Sequence, residues 1–519
     1  MSVASPTLPS SAVPQAQSGT RELWFRRVLT VFGVLAGLGL VAHLGVFLWG
    51  QNEFTLPESV VAGQSMMLAH DGTLYYNLRD YPFTVNAYMP LFYFLDAGLI
   101  RLSIPAFVAG RFLSFAALLG IYVVCWRMIM LYTGNRHCAW LGTVLCVSTS
   151  LLLSWGTVGQ VDTLAVCFAL TGFYHYSRHR LGQAGALIPA GVFVVLAVLT
   201  KQTMLAAPTA ILLCLLTERS RLANWKTALA FGASVSAIVL SVVCGWNAAT
   251  HGNFLANTVF ANLNPFAVEQ LSPHLNYMVI AAGQLVLVAV ACGRAAWSRH
   301  GKALLVYLGF AAAVFLATAP KIGSDSNYQI ETTILLVLCA AIGLDAIGFF
   351  DLLFGGRRTW ITLLQLPLAI HMVLNFRITI PFLVGRIVKE QMFRGQVAAL
   401  KPFVPASGRV LSTDLNAMVR LRGRVDVEPV IYALLVQAGR IDPTPVQRDL
   451  AAGAIPTVIL YWDLSKPFES DPKNPGLPEA QLMEVQKRYR MVRHIPGPYL
   501  DGVYVYQLAG NVSAEVKPL

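Results

Sequence analysis

The chain has 519 residues, 56% of them hydrophobic and only 12% charged, with a mean hydropathy of +0.59. A soluble domain carries about 25% charged residues, so this composition excludes an ordinary water-soluble protein and puts most of the chain in lipid. The net charge of +12 does not point to nucleic acid: the basic residues cluster in short loops between apolar runs, as topology determinants do, and no basic patch is interleaved with exposed aromatics.

In chain order, residues 1–25 are rich in Ser, Pro, Ala and Gln and read as a disordered cytoplasmic tail. The apolar run after Arg26 and Arg27 is too long for a signal-peptide core and reads as an uncleaved first span, 28–50. Crossing the hydrocarbon takes about 20 apolar residues in a helix. Further spans are predicted at 107–130, 138–156, 163–177, 185–200, 203–217, 227–247, 275–293, 303–319, 331–353 and 359–381. The expected architecture is a polytopic α-helical membrane domain over 26–384 with about 11 transmembrane helices. The segment 88–103 is apolar but short, contains Asp96 and Arg101, and lies between Pro90 and Pro105. It reads as a helix lying on the membrane surface.

With that assignment and an inner N-terminus, Arg and Lys crowd the inner segments, beginning with Arg21, Arg26, Arg27, Arg127 and Arg136. The outer loops hold only Arg79, Arg101, Lys201 and Lys321, with Arg111 at a span edge. Promoting 88–103 to a span would reverse this bias. The loop 51–106 and the segment 385–519 therefore fall outside.

The latter reads as an extracytoplasmic α/β domain. It has a β-like run at Arg409–Ser412, helical stretches near 428–438 and 443–452, a β-rich run at Thr457–Tyr461 and a Tyr/Val alternation at Val503–Tyr506. No strand–GxGxxG–helix unit implies a dinucleotide site. The eight cysteines lie in or beside apolar runs and read as small core residues rather than a disulfide framework.

Ionisable residues at span ends gather on the outer face: Glu53 and Glu58 after span one, Arg111 opening span two, Asp162 opening span four, Lys201 between spans five and six, and Lys321, Asp325 and Glu331 between spans nine and ten. A charge at membrane depth is costly and marks a site, whereas one at a span end can simply snorkel to the interface. Acids and bases mix here, which favours the site. Cations would neutralise a lipid-linked phosphate, and a carboxylate would take the proton of an incoming hydroxyl. Phosphate is already a good leaving group and needs no acid.

The motifs that carry these residues resemble those of the GT-C superfamily of membrane glycosyltransferases, which includes protein O-mannosyltransferases and aminoarabinose transferases. The first outer loop reads Pro57–Glu58–Ser59, Gly72–Thr73–Leu74–Tyr75 and Tyr88–Met89–Pro90–Leu91–Phe92–Tyr93. Similar matches follow at Gly110–Arg111–Phe112–Leu113–Ser114, Gly159–Gln160–Val161–Asp162, Thr200–Lys201 and Lys321–Ile322–Gly323 with Asn327, Tyr328 and Glu331.

The resemblance implies sugar transfer from a polyprenyl-phosphate donor, with inversion, to a lipid, glycan or protein acceptor outside the membrane. Carried over, Glu58 is the candidate base, with Glu53 as its alternative, because the family's acidic pair is Glu58–Ser59 here. Asp162 positions the acceptor, the base or a metal. Arg111, Lys201 and Lys321 hold the donor phosphate, and Glu53, Asn327, Tyr328 and Glu331 are candidate substrate contacts. A divalent metal, held by Glu58 and Asp162, is left open. On this reading Glu58→Gln abolishes transfer and leaves folding intact. The rival reading is a transporter or flippase of a lipid-linked or anionic solute; no inverted repeat or pair of broken spans supports it. His43 and His371 read as packing residues, His70 and Asp71 as turn residues, and Asn262 and Asn264 as acceptor contacts or turn caps.

Overall fold

The computed structural model describes residues 15–218, 224–296, 301–354, 363–466 and 476–509. Helix α1 (Gln15–Trp49) leads to a loop and then α2 (Leu56–Asp71), which has Pro57 in its first turn and closes on Gly72 at φ 71°, a left-handed cap that glycine adopts without strain. Helix α3 (Leu91–Arg101) precedes α4 (Ala106–Thr133), and Asn135 caps α5 (Arg136–Ser148) by accepting from the His137 and Cys138 amides. An extended Thr149 separates α5 from α6 (Ser150–Trp155). Next come α7 (Val161–Arg180), α8 (Leu187–Thr200), α9 (Ala206–Thr217), α10 (Trp225–Ala249) and the short α11 (Asn253–Leu255), which runs into a π-helical turn at Ala256–Phe260. The helical part ends with α12 (Leu271–Ala296), α13 (Lys302–Thr318), α14 (Ile330–Ala346), α15 (Phe349–Phe354) and α16 (Gln365–Leu400).

Among the described residues, α1, α4, α10, α12 and α16, and α14 together with the 3₁₀ turn that precedes it (Ser326–Gln329), are each long and apolar enough to cross a membrane, and α8, α9 and α13 are shorter apolar helices. Helix α14 is buried from Ile330 to Leu344 and forms the axis of the bundle, whereas α1 and α10 expose large apolar side chains such as Val41, Leu229 and Leu240. Apolar side chains that face outward along a whole helix belong in lipid.

The C-terminal part contains β1 (Val410–Ser412), α17 (Leu415–Arg422), α18 (Pro429–Gln437), α19 (Thr444–Ala451), β2 (Thr457–Leu460), α20 (Glu479–Arg488), β3 (Tyr489–Ile495) and β4 (Val503–Leu508). Its sheet has the order β1-β2-β4-β3, with β1 parallel to β2 and the other pairs antiparallel. The loop 51–106 joins it by a parallel bridge: Phe83 N–H donates to Asp426 O at 2.9 Å and Glu428 N–H donates to Phe83 O at 2.9 Å.

Several expectations need correction. Residues 15–25 are helical rather than disordered, and residues 1–14 lie outside the described residues. The last apolar helix continues to Leu400, past the expected boundary at 385, because Arg386 and Glu390 are buried against the bundle instead of marking its edge. Helices α17 and α20 and strand β3 were not anticipated. Of the basic residues of the inner segments, Arg219, Arg221, Arg299, Arg357 and Arg358 lie outside the described residues, as does Asn511–Val512–Ser513, a match to a glycosylation acceptor.

Candidate functional site

Glu53, Glu58, Arg111, Asp162, Lys201, Lys321 and Glu331 lie near one end of the helices, but the structure sorts them into two clusters rather than one cavity.

In the first, Glu58 in the opening turn of α2 is fully buried. Its carboxylate accepts from Arg111 Nε and Nη2, both at 2.8 Å, and from the backbone N–H groups of Phe54 and Gly159, both at 2.7 Å. Arg111, equally buried, also donates Nη1 to Gly50 O at 2.8 Å and Nη2 to Asn52 O at 2.5 Å, and its guanidinium lies 3.5 Å from the Phe54 ring centroid. Four N–H donors fill the carboxylate's acceptor positions. Glu58 therefore has no free lone pair for an incoming hydroxyl, and Arg111 has no free fork for a phosphate. Together they lock α2, α4 and the turn before α7.

Glu53 is buried beside them and accepts from the Ser59 hydroxyl, while its own N–H donates to Asn416 Oδ1 at 3.0 Å. Burial, reinforced by Asp414 and Glu58, pushes its carboxyl up to about 8. Asp414 caps α17 and is pushed up to about 6 by burial. These acids face the C-terminal domain rather than an opening.

The second cluster surrounds a cavity of about 20 Å³, room for about one water, lined among others by Asp162, Lys201, Asn327, Tyr328 and Glu331. Lys201 Nζ lies 2.5 Å from Asp162 Oδ1, while Asp162 Oδ2 is buried without a partner. The Lys201 ammonium lies 4.2 Å from the Tyr328 ring centroid and 6.0 Å from that of Tyr88. Burial opposes its charge, but Asp162, Tyr328 and Glu331 outweigh burial and raise it above the ordinary lysine value. Tyr307 donates to Glu331 Oε1 at 2.5 Å, and Asn327 Oδ1 is buried and unpartnered. Lys321 donates to Asn262 Oδ1 at 2.5 Å; burial and then the charge of Lys201 push it down to about 8. Asn262 is thus a lysine ligand, and Asn264 donates to Ile322 O at 2.9 Å. Asp325 is exposed and caps the turn at Ser326.

The turn between α6 and α7 joins the clusters. Thr157 Oγ1 accepts from Arg386 Nη1 at 2.5 Å, Gly159 N–H reaches Glu58, and Asp162 holds Lys201. A Cβ on Gly159 would lie 3.1–3.2 Å from the backbone of Gly110 and Arg111, so glycine is what allows α4 this close.

Arg386 on α16 escaped the sequence reading. It is buried between the rings of Phe54 and Phe382, each 4.3 Å from its guanidinium carbon, and donates to Ser154 O at 2.7 Å. Among the described residues no carboxylate lies within ion-pair distance, and its Nε has no partner. In sequence it is the first of the charges Arg386, Lys389, Glu390 and Arg394 past the last predicted span, and nothing there sets it apart from a solvated flank.

His43 bonds Gly39 O at 2.9 Å and His371 faces Thr149 Oγ1 at 3.2 Å; both are packing residues. A metal held by Glu58 and Asp162 does not fit: the two lie in different clusters, one saturated by N–H donors and the other held by an ammonium. Among the described residues no group of three or more His, Cys, Asp and Glu side chains is placed to hold a metal ion.

Comparison with solved structures finds the same architecture in ArnT from Cupriavidus metallidurans. In the apo state and bound to undecaprenyl phosphate alike it superposes with a TM-score of 0.63 at 14% identity, over 94% and 93% of this chain and 99% of that one. The fold is GT-C-like. The oligosaccharyltransferase of Archaeoglobus fulgidus in the apo form aligns with a TM-score of 0.50 at 12% identity, over 85% of this chain and 70% of its own. No protein-family model and no curated protein sequence matches the chain.

Proposed function

We propose that the chain is a membrane glycosyltransferase that moves a sugar from a polyprenyl-phosphate donor to an acceptor hydroxyl on the extracytoplasmic face. In this reading about eleven helices cross the membrane, with α3 lying on its surface and the C-terminal domain outside. Supporting it is the cavity in which one carboxylate oxygen of Asp162 is free beside Lys201, with Lys321 near enough to feel the Lys201 charge, at the end of an apolar bundle whose fold is that of ArnT bound to undecaprenyl phosphate.

Asp162 Oδ2 accepts the proton of the acceptor hydroxyl. The acceptor oxygen bonds to the anomeric carbon as the carbon–oxygen bond to phosphate breaks, and the electron pair leaves on the phosphate. Lys201 orients Asp162. Lys321, and Arg386 with its unpaired charge, meet the phosphate as its charge grows. Attack opposite the leaving group inverts the anomeric centre. Glu58 and Arg111 position the Asp162 turn through Gly159 instead of touching substrate.

The test is to delete the gene, complement with wild type or Asp162→Asn, and compare envelope glycolipids and glycoproteins by mass spectrometry. A missing sugar increment restored only by wild type supports transfer. Full restoration by Asp162→Asn removes the cavity from the reaction. A donor lipid that accumulates on one leaflet with its acceptors unchanged would point to transport.

A further inference from the structure

At the other end of the bundle, α1 and α5 leave a groove of ≈ 730 Å³ open to the side of the molecule. Arg26 at its mouth lies 24 residues before Gly50, about 36 Å along the helix at ~1.5 Å per residue, so the groove is remote from both clusters described above. Its mouth carries Arg26, Arg136 and His137; below them the walls are apolar apart from Thr30 and Thr143.

Two features shape it. Gly33 and Gly37 leave the α1 wall hollow: a Cβ on Gly37 would meet nothing within 4 Å, and one on Gly33 only a Val144 methyl at 3.5 Å. The mouth is net cationic. Glu22 pairs with Arg26 at 2.5 Å and stands 3.4 Å from His137 Nε2, but no carboxylate among the described residues pairs with Arg136. The mouth also coincides with the N-terminus of α5, where the helix dipole favours an anion. From Arg26 to Leu40 the groove runs about 21 Å along the helix, close to the ~20–22 Å half-thickness of a bilayer with its headgroup region.

We propose that this groove is a binding site for an anionic phospholipid of the leaflet at that end of the bundle. Its phosphate sits among Arg26, Arg136 and His137, and one acyl chain lies over Gly33 and Gly37 toward Leu40. The depth matches one leaflet with its headgroup and the charge matches a phosphodiester. A second copy of the chain packing through Gly33 and Gly37 is the competing occupant; against it, Gly33 already faces Val144 of the same chain, and a partner helix would leave the cationic mouth unanswered.

Native mass spectrometry of the purified full-length protein, offered equal phosphatidylglycerol and phosphatidylcholine, tests this. Phosphatidylglycerol should be retained over phosphatidylcholine, and Arg26→Ala with Arg136→Ala should cut its retention on the order of 10-fold. The Cβ of Gly37→Leu meets nothing within 4 Å, so this variant should occupy the groove and abolish retention while elution and melting stay as in wild type. Equal retention of both lipids, undiminished phosphatidylglycerol on Gly37→Leu, or a wild-type dimer that Gly37→Leu dissociates would each overturn the proposal.

Discussion

Replacing Glu58 by Gln separates a structural carboxylate from a catalytic one. The carboxylate accepts four N–H groups, two from Arg111 and one each from Phe54 and Gly159. A Gln amide offers one oxygen with two lone pairs and turns its NH₂ toward the other donors. At least two buried N–H groups then lose their acceptor, at ~1–3 kcal/mol each, and the buried Arg111 charge is uncompensated. Breaking one side of a buried ion pair costs ~3–5 kcal/mol, so the two routes agree. The expected outcome is a large fall in folded yield and in melting temperature, followed in detergent by fluorescence-detected size exclusion after heating. Adding Arg111→Met to Glu58→Gln should recover part of the loss, because it removes the orphaned guanidinium. If Glu58→Gln instead melted like wild type and lost only its transfer activity, Glu58 would be the base and the saturation argument would fail.

Further outcomes follow from the same geometry. Asp162→Asn should lower transfer by ~10²–10⁴-fold while the donor lipid still binds, as a direct lipid-binding assay would reveal. Lys321, pushed down to about 8, is charged below that pH and neutral above it. Donor KM should therefore climb as pH rises through about 8, and Lys321→Met should raise KM and flatten this dependence. Glu53 at about 8 and Asp414 at about 6 are both raised from ordinary values of 4.5 and 3.8. Between its ordinary and raised value each group binds a proton when folded but not when unfolded, so stability falls as pH rises across that window. Melting temperature should decline from about pH 4 to about pH 8, and Glu53→Gln should remove the upper part of that decline. Gly159→Ala puts a methyl against backbone at 3.1–3.2 Å; it should destabilise the chain and reduce transfer together, measured on the same preparation.

Much of the architecture was readable from local pattern. Among the described residues, each apolar run predicted as a span coincides with a helix, or with two where Thr149 or the turn at residues 347–348 interrupts, and α3 falls inside the segment assigned to the surface; residues 359–362 of the last run lie outside the described residues. The strand β3, by contrast, pairs on one side only, as the edge of the sheet, and its residues Arg490, Met491, Arg493 and His494 are not buried. Little in its composition distinguishes it from a loop. Arg386 and Glu390 look like the polar flank of a span and are buried instead, because Asn52 of the first loop meets Glu390 while Phe54 and the turn between α6 and α7 enclose Arg386.

Composition and periodicity determined the membrane class, the helices and the side of the bundle on which the charges collect, because burial of apolar surface and the cost of charge in lipid act on each segment alone. The partner of each charge was decided by packing. Glu58 meets Arg111 across 53 positions and Gly159 across 101, whereas Asp162 meets Lys201 across 39. One carboxylate ends saturated and the other keeps an oxygen free. Hydrogen-bond saturation depends on which backbone N–H groups arrive from distant turns, and no residue type or spacing encodes that.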